Sequence, residues 1–217
     1  MRILVISEGN NELGISHGKR ELSHVGDDAA SGALIRLVER VLSPRHPPMS
    51  VNIEWRDIRK MGSITPKDWG TGGADYQRKA MSWIRKAQNE QFDAIVIVVD
   101  QDDAPDRRNG LDAAQADNRL LLPRAIGLAV KSFDAWMLAD EQAISNAIGR
   151  TVQRQKSPED HKAPKNTMLG IVADSSAMTD TYAKIADEVN IETLCTRCPK
   201  GFRPFRDRLA KLSAPGS

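Results

Sequence analysis

The sequence lacks the features that mark secreted and membrane proteins. It has only two cysteines in 217 residues, which is too few for a disulfide framework. No apolar run approaches the ~20 residues that a membrane-spanning helix needs. The apolar run at the amino terminus ends at Glu8, too early for a secretory signal. We therefore expect a cytoplasmic protein that makes no membrane contact.

The charge balance has no strong bias of either sign. The formal net charge is +2, and no acidic or strongly basic tail is present. Affinity for nucleic acid would then have to come from local patches. One basic patch near the C-terminus is opposed only by Asp207, and it fits a phosphate-binding surface and a solvated helix face equally well. It consists of Arg197, Lys200, Arg203, Arg206, Arg208 and Lys211.

Strand-like and helix-like patterns alternate over the first 140 residues. Arg2–Ser7 and Ala94–Val99 are almost continuously apolar, which is typical of central strands in a parallel sheet covered on both faces. Val51–Ile58 alternates apolar and polar residues and is predicted to be nearer the sheet edge, and Arg124–Val130 is predicted to be the fourth strand. The sequence thus predicts an α/β fold with a doubly wound, mainly parallel sheet of about four strands flanked by helices.

The C-terminal third differs in character. Residues 150–165 are polar and contain two prolines, which predicts an exposed loop, and helical patterns follow it. We predict an α/β domain over residues 1–140 and a small helical extension over residues 141–217 packed on it. Cys195 and Cys198 form a lone CxxC; a zinc site would need a second pair, and a buried packing role for Cys198 is favoured over a redox pair.

Acidic residues follow two of the predicted central strands. Glu8 closes the first strand, with Glu12 four residues later, and Asp100 and Asp102 follow the run "AIVIVV". Open α/β sheets bind their ligands at the carboxyl ends of parallel strands. Clustered carboxylates repel one another unless a cation neutralises them, and oxygen ligands suit Mg²⁺ or Mn²⁺. The pattern predicts a hard divalent metal at this edge of the sheet.

The residues after this acidic run have simpler interpretations. Asp103 and Asp106 are favoured as turn formers. Arg107 and Arg108 are predicted to grip a nucleic-acid backbone near the metal.

These motifs resemble the Toprim superfamily of topoisomerases, primases and overcoming-lysogenization-defect nucleases. Its signature is a glutamate after the first strand and an Asp-x-Asp after a later one; "SEGNNELG" matches the Glu-x-x-x-Glu form of the nuclease branch, and "VVDQDD" supplies the aspartates. The resemblance is closest to a small stand-alone Toprim-like family often encoded beside ATPases. Three stretches of this chain resemble motifs of that family: "SFDAWMLAD" resembles its acidic-aromatic stretch, "APKNTML" its Pro-Lys before a helix, and "CPKGFRPF" its terminal helix. The likeness therefore covers almost the full chain.

The resemblance implies a Mg²⁺-dependent nuclease that hydrolyses phosphodiester bonds in nucleic acid, as the effector of a defence system with a partner ATPase. Lys165, in the Pro-Lys, is implied to steady the charge of the reacting phosphate, and Glu8 is implied to act as a general acid or base if one metal binds. The alternative to one bound metal ion is a pair of metal ions in the same site. The implied metal ligands are Glu8, Glu12, Asp100, Asp102 and Asp134.

The chain departs from the family pattern in the aromatic stretch. Ser132 stands where the family has a glutamate, and Asp134 is shorter than the second expected glutamate. This departure favours an alternative, a non-catalytic Toprim-like module that binds a partner protein or nucleic acid. Tyr76 and Tyr182 fall in helical sequence and are not expected near the acids, which favours hydrolysis over strand passage.

Overall fold

The computed structural model describes residues 1–14, 32–43, 52–58 and 72–212. Its strands form one parallel sheet with the order β2-β1-β3-β4. The strands are β1 (Arg2–Ser7), β2 (Asn52–Asp57), β3 (Ala94–Asp100) and β4 (Arg124–Ala129). The predicted α/β fold is confirmed, and the two most continuously apolar strands, β1 and β3, are the central ones.

Helices cover both faces of the sheet in the described part of the chain. They are α1 (Asn10–Leu13), α2 (Ala33–Leu42), α3 (Gly73–Asn89), α4 (Arg107–Ala116), α5 (Phe133–Met137), α6 (Glu141–Ile148), α7 (Pro164–Val172), α8 (Met178–Glu188), α9 (Ile191–Arg197) and α10 (Phe202–Lys211). None of these described helices has the length and apolar character needed to cross a bilayer.

The alternation of side chains along each strand separates two hydrophobic cores. In β3, Val96 and Val98 join a core with residues of α2, α8 and α10, whereas Ile95, Ile97 and Val99 join a core with α3 and α4. Because both faces are covered, a central strand needs apolar residues at every position.

The C-terminal helices share a core with the strands. The buried ring of Trp136 in α5 packs against Phe202 and Phe205 in α10, and its centroid lies 5.1 Å and 5.6 Å from theirs. Phe133 in α5 packs on Trp136, with ring centroids 5.3 Å apart, so both aromatic side chains of α5 belong to the core. Where a domain ends and an extension begins, near residue 140, stays a prediction.

The cysteines of the CxxC motif lie within this core. Cys195 and Cys198 are free thiols and both are buried. Burial raises the pKa of the Cys198 thiol, and its Sγ lies 3.8 Å from the carbonyl oxygen of Ala135. A buried thiol of this kind is chemically unreactive and acts as a small apolar side chain.

The prediction of an exposed loop over residues 150–165 is wrong in its second half. A 3-10 turn covers Pro158–Asp160, and Glu159 is only 3% exposed. Its carboxylate accepts hydrogen bonds from the backbone N–H groups of Lys200 at 2.8 Å and Gly201 at 2.6 Å. Desolvation raises the pKa of Glu159, and these two donors oppose that rise. The turn is thereby attached to the start of α10.

Helices α3 and α4 approach so closely that one position in α4 has room only for glycine. A Cβ atom on Gly110 would lie 1.8 Å from the carbonyl oxygen of Gly73. Any side chain there would force the two backbones apart.

We expect Gly110→Ala to lower the free energy of unfolding by about 1–3 kcal/mol, the usual cost of overpacking. Gly170→Ala is the matched control, because it lies inside α7 with nothing within 4 Å of its Cβ position. Alanine is a better helix former than glycine, so the control should be more stable by about 0.5–1 kcal/mol. Urea unfolding of the three proteins measures both changes; equal stability of both variants would contradict the close helix contact.

Candidate functional site

A cleft opens at the carboxyl ends of the two central strands. From β1 the chain passes to β2 on one side of the sheet, and from β3 it passes to β4 on the other side. Strand connections that diverge in this way leave a crevice, which is the usual ligand site of a doubly wound sheet. The crevice here has a volume of about 630 Å³.

All six residues predicted for the site line this one cleft. They come from both predicted parts of the chain, because the loops after β1, β3 and β4 and the start of α7 all contribute to the lining. The six are Glu8, Glu12, Asp100, Asp102, Asp134 and Lys165.

Backbone donors connect the acids of neighbouring strands. Glu8 Oε1 accepts a hydrogen bond from the backbone N–H of Asp100 at 3.0 Å. Asp100 Oδ1 in turn accepts from the backbone N–H of Phe133 at 2.8 Å. The ends of β1 and β3 and the start of α5 are thus held together through carboxylate oxygens.

Two of the acids, one buried and one half-buried, lie where they repel each other. Glu12 is 5% exposed and accepts a hydrogen bond from the hydroxyl of Ser7. Burial, and then the charges of Asp100 and Glu8, raise the pKa of Glu12 well above its usual value. Burial and the charge of Glu8 likewise raise the pKa of Asp100. A bound cation would relieve this repulsion.

Asp134 is held by hydroxyl groups. Tyr182 donates a hydrogen bond to its Oδ1, and Ser132 donates to its Oδ2 at 2.8 Å. Ser132 therefore helps to orient the Asp134 carboxylate.

Two residues at the cleft have left-handed backbones. Asp102 has φ of 47° and Lys131 has φ of 66°, and the backbone N–H of Asp102 donates to the carbonyl oxygen of Lys131 at 2.9 Å. This conformation is uncommon outside glycine, and such residues cluster at functional sites. It makes the loops after β3 and β4 turn sharply beside each other.

Three lysines also line the cleft, and two of them were not predicted. Lys131 and Lys162 join Lys165 in the lining. Arg107 pairs with Asp102, whereas these cleft lysines have no carboxylate partner within the described residues. Lys131 directly follows a strand, so the rule that found the acids could have found it. The position of Lys162 depends on the buried turn at Glu159, which sequence did not reveal.

The prediction that Arg107 grips a nucleic-acid backbone is wrong, whereas the same prediction for Arg108 stays a prediction. Arg107 is 6% exposed and binds Asp102 Oδ2 and the Asp100 carbonyl oxygen, so it does not grip a nucleic-acid backbone. Arg108 donates to the carbonyl oxygen of Lys200 at 3.0 Å. Both guanidinium groups connect α4 to neighbouring segments.

The C-terminal basic patch is also more neutral than expected. None of its six residues, all of which the structure describes, lines the cleft. Asp207 is not their only acidic neighbour, because acids distant in sequence pair with four of them: Glu141 with Arg197, Asp160 with Lys200, Glu192 with Arg206 and Asp112 with Arg208. These pairs favour a structural role for the patch.

The expectation that no tyrosine lies near the acids is wrong. Tyr76 donates a hydrogen bond to Glu8 Oε2 at 3.3 Å, and Tyr182 donates to Asp134. Both residues lie in helices, as predicted, but helices α3 and α8 direct their hydroxyls to the acids Glu8 and Asp134. Sequence patterns identified the helices but not the long-range contacts.

The lining fits a hard divalent cation by its chemistry. Its charged acceptors are all carboxylates, and the described lining contains no histidine or cysteine, so Mg²⁺ or Mn²⁺ suits it better than zinc. Within the part of the chain described, however, no three such side chains are already arranged to hold a metal ion. Protein donors occupy oxygens of Glu8, Asp100 and Asp134 instead.

Comparisons with protein-family models, with curated proteins and with solved structures find no match to this chain. What the protein does must therefore be inferred from the chemistry of the cleft.

We expect Glu12→Gln and Asp100→Asn to raise the melting temperature of the metal-free protein at about pH 8. The folded state holds these two protons more tightly than the unfolded chain, so their stabilising contribution is complete below the ordinary carboxyl pKa. This stabilising contribution is lost as the pH rises through the raised pKa values that the two groups have in the folded state. The increase in melting temperature should be smaller at about pH 4, where the carboxyl groups of Glu12 and Asp100 are protonated in the wild type.

Thermal melts in EDTA at both pH values measure this effect. Asp207→Asn, an exposed change in α10, is the control and should behave as wild type. Lower melting temperatures for both variants at the higher pH would show that the acids do not repel each other.

Proposed function

We propose that this chain is a Mg²⁺-dependent, Toprim-type nuclease that hydrolyses phosphodiester bonds in nucleic acid. One observation carries the proposal: a single cleft at the switch point of the sheet gathers six carboxylates, those of the five proposed ligands and of Asp103, and three lysines that lack acidic partners among the described residues. Carboxylates can hold the cation, and lysines can neutralise the phosphates of the substrate. A cleft with both groups suits a polyanion that reacts beside a metal.

The acids supply the ligands and the lysines supply charge. Mg²⁺ or Mn²⁺, when bound, supplies Lewis-acid activation of the nucleophile and the phosphate. Glu8, Glu12, Asp100, Asp102 and Asp134 are the residues that would hold it. The exposed cleft lysines would orient the substrate backbone and offset its negative charge.

Water is the nucleophile that the surroundings favour. The hydroxyls of Tyr76 and Tyr182 both donate to carboxylates, and both rings are at least 96% buried. Neither hydroxyl is therefore presented to a substrate phosphate, which supports hydrolysis rather than a covalent tyrosine intermediate. The proposed role as a defence effector with a partner ATPase rests on the family resemblance alone.

A non-catalytic binding module is the second candidate. It is favoured by Ser132, which provides a hydroxyl in place of an acid, and by the two hydroxyls that occupy Asp134. In that case the cleft would bind nucleic acid or a protein without cleaving it.

We expect Asp100→Asn and Asp102→Asn to lower Mg²⁺- or Mn²⁺-dependent cleavage by orders of magnitude while the proteins stay folded. Asparagine keeps the size of aspartate and much of its hydrogen bonding but removes the charge that holds a hard cation. Cleavage of labelled single-stranded and duplex DNA and RNA measures activity, with Asp207→Asn as the control.

Melts with and without Mn²⁺ separate the two candidate functions. Wild type should be stabilised by Mn²⁺ through linkage and the two variants should not. Wild-type binding of nucleic acid without cleavage under any metal condition would favour the binding module. Normal cleavage and a normal metal response in both variants would remove these aspartates from the site.

We expect Lys131→Gln and Lys162→Gln each to flatten the salt dependence of nucleic-acid binding. Each lost phosphate contact should reduce the slope of log K against log salt by about 0.7 for single strands or about 0.9 for duplexes. Binding isotherms in EDTA over a range of salt concentrations measure the slope. Lys211→Gln in α10, outside the cleft lining, is the control, and equal slopes for all four proteins would exclude these lysines from the binding surface.

A further inference from the structure

Arg107 connects two of the proposed ligand residues. It is the first residue of α4, and its Nη1 donates to the carbonyl oxygen of Asp100 at 2.7 Å and to Asp102 Oδ2 at 2.8 Å. A buried guanidinium must be paired and hydrogen-bonded to be tolerated. These two acceptors lie at the end of β3 and in the loop that leaves it, so the arginine fixes the shape of that loop.

Tyr76 extends this connection to the neighbouring strand. The guanidinium carbon of Arg107 lies 4.4 Å from the centroid of the Tyr76 ring, within the range of a cation–π contact. The hydroxyl of the same tyrosine donates to Glu8 Oε2 at 3.3 Å. Helices α3 and α4, which pack against each other through Gly110, thereby hold the acids at the ends of β1 and β3.

Asp102 depends on this support more than the other acids. Its backbone is left-handed, and its side chain is 57% exposed. Arg107 holds Oδ2, while Oδ1 accepts no hydrogen bond from the part of the chain that the structure describes. The aspartate is thus fixed in direction yet keeps an oxygen available for a ligand.

We propose that Arg107 and Tyr76 act as one positioning unit for Glu8, Asp100 and Asp102, and that the affinity of the cleft for a divalent cation depends on this unit. The inference rests on the proposed function, because it assumes that these acids bind the cation. Neither residue touches the substrate. Residues that orient metal ligands typically change metal affinity by about 10-fold to 100-fold when they are replaced.

The test compares Mn²⁺ affinity in wild type, Arg107→Lys and Tyr76→Phe. Lysine keeps the positive charge but has no planar guanidinium to stack on the Tyr76 ring. Phenylalanine keeps the buried ring and the stacking but loses the hydroxyl that holds Glu8. Arg119→Lys is the matched control, since Arg119 is 77% exposed and pairs with Asp117 outside the cleft.

Isothermal titration with Mn²⁺ gives the dissociation constants, and circular dichroism verifies folding. We expect Arg107→Lys and Tyr76→Phe to bind Mn²⁺ about 10-fold to 100-fold more weakly than wild type, and Arg119→Lys to bind as wild type. Affinities of both variants within twofold of wild type would overturn the positioning role while the metal site stands. If wild type itself binds no Mn²⁺, the metal site and its positioning role both fail.

A double variant tests whether the two residues act together. If they form one unit, the loss of affinity in Arg107→Lys/Tyr76→Phe should be smaller than the product of the two single losses. Losses that multiply would show that the residues act independently. If Arg107→Lys does not fold, Tyr76→Phe decides the question, because it removes a single oxygen atom.

Discussion

Repulsion between closely placed carboxylates is the constraint around which the cleft is organised. Glu12 is buried and Asp100 is half-buried, and each lies close enough to other acids for their charges to raise its pKa. Every proposed ligand has at least one donor in its surroundings. The donors include two backbone N–H groups, serine and tyrosine hydroxyls and one buried guanidinium. These contacts tie strands, loops and helices from distant parts of the chain to one point.

The arginines and the cleft lysines divide by chemistry. Arg107, Arg197 and Arg208 each bind at least one carbonyl oxygen and a carboxylate at once, a task that suits a rigid group with five donors. The cleft lysines are exposed and have no acidic partner in the described residues. Lysine is strongly hydrated and mobile, so it can follow a charged backbone without being fixed in one geometry. These arginines thus hold segments of the fold together, whereas the cleft lysines are available to bind a ligand.

How much the sequence could predict depends on the range of the interactions. Continuous apolar runs revealed β1 and β3, and acids at their ends marked the cleft, because both signals are local. The contacts of Tyr76 with Glu8 and of Tyr182 with Asp134 join residues 68 and 48 positions apart, and no periodicity encodes them. The burial of Glu159 depends on the turn before α10 in the same way. Arg107 was misassigned because a charge after an acidic loop resembles a substrate contact until its burial is known.

The left-handed backbone at Lys131 also bears on how the protein could be altered. An L-residue in this conformation costs roughly 1–2 kcal/mol compared with the right-handed region, and glycine avoids that cost. Selection for heat resistance alone would therefore favour glycine at position 131, and it would remove a positive charge from the cleft. At this position, glycine would increase thermostability, whereas lysine would favour the binding of an anionic ligand.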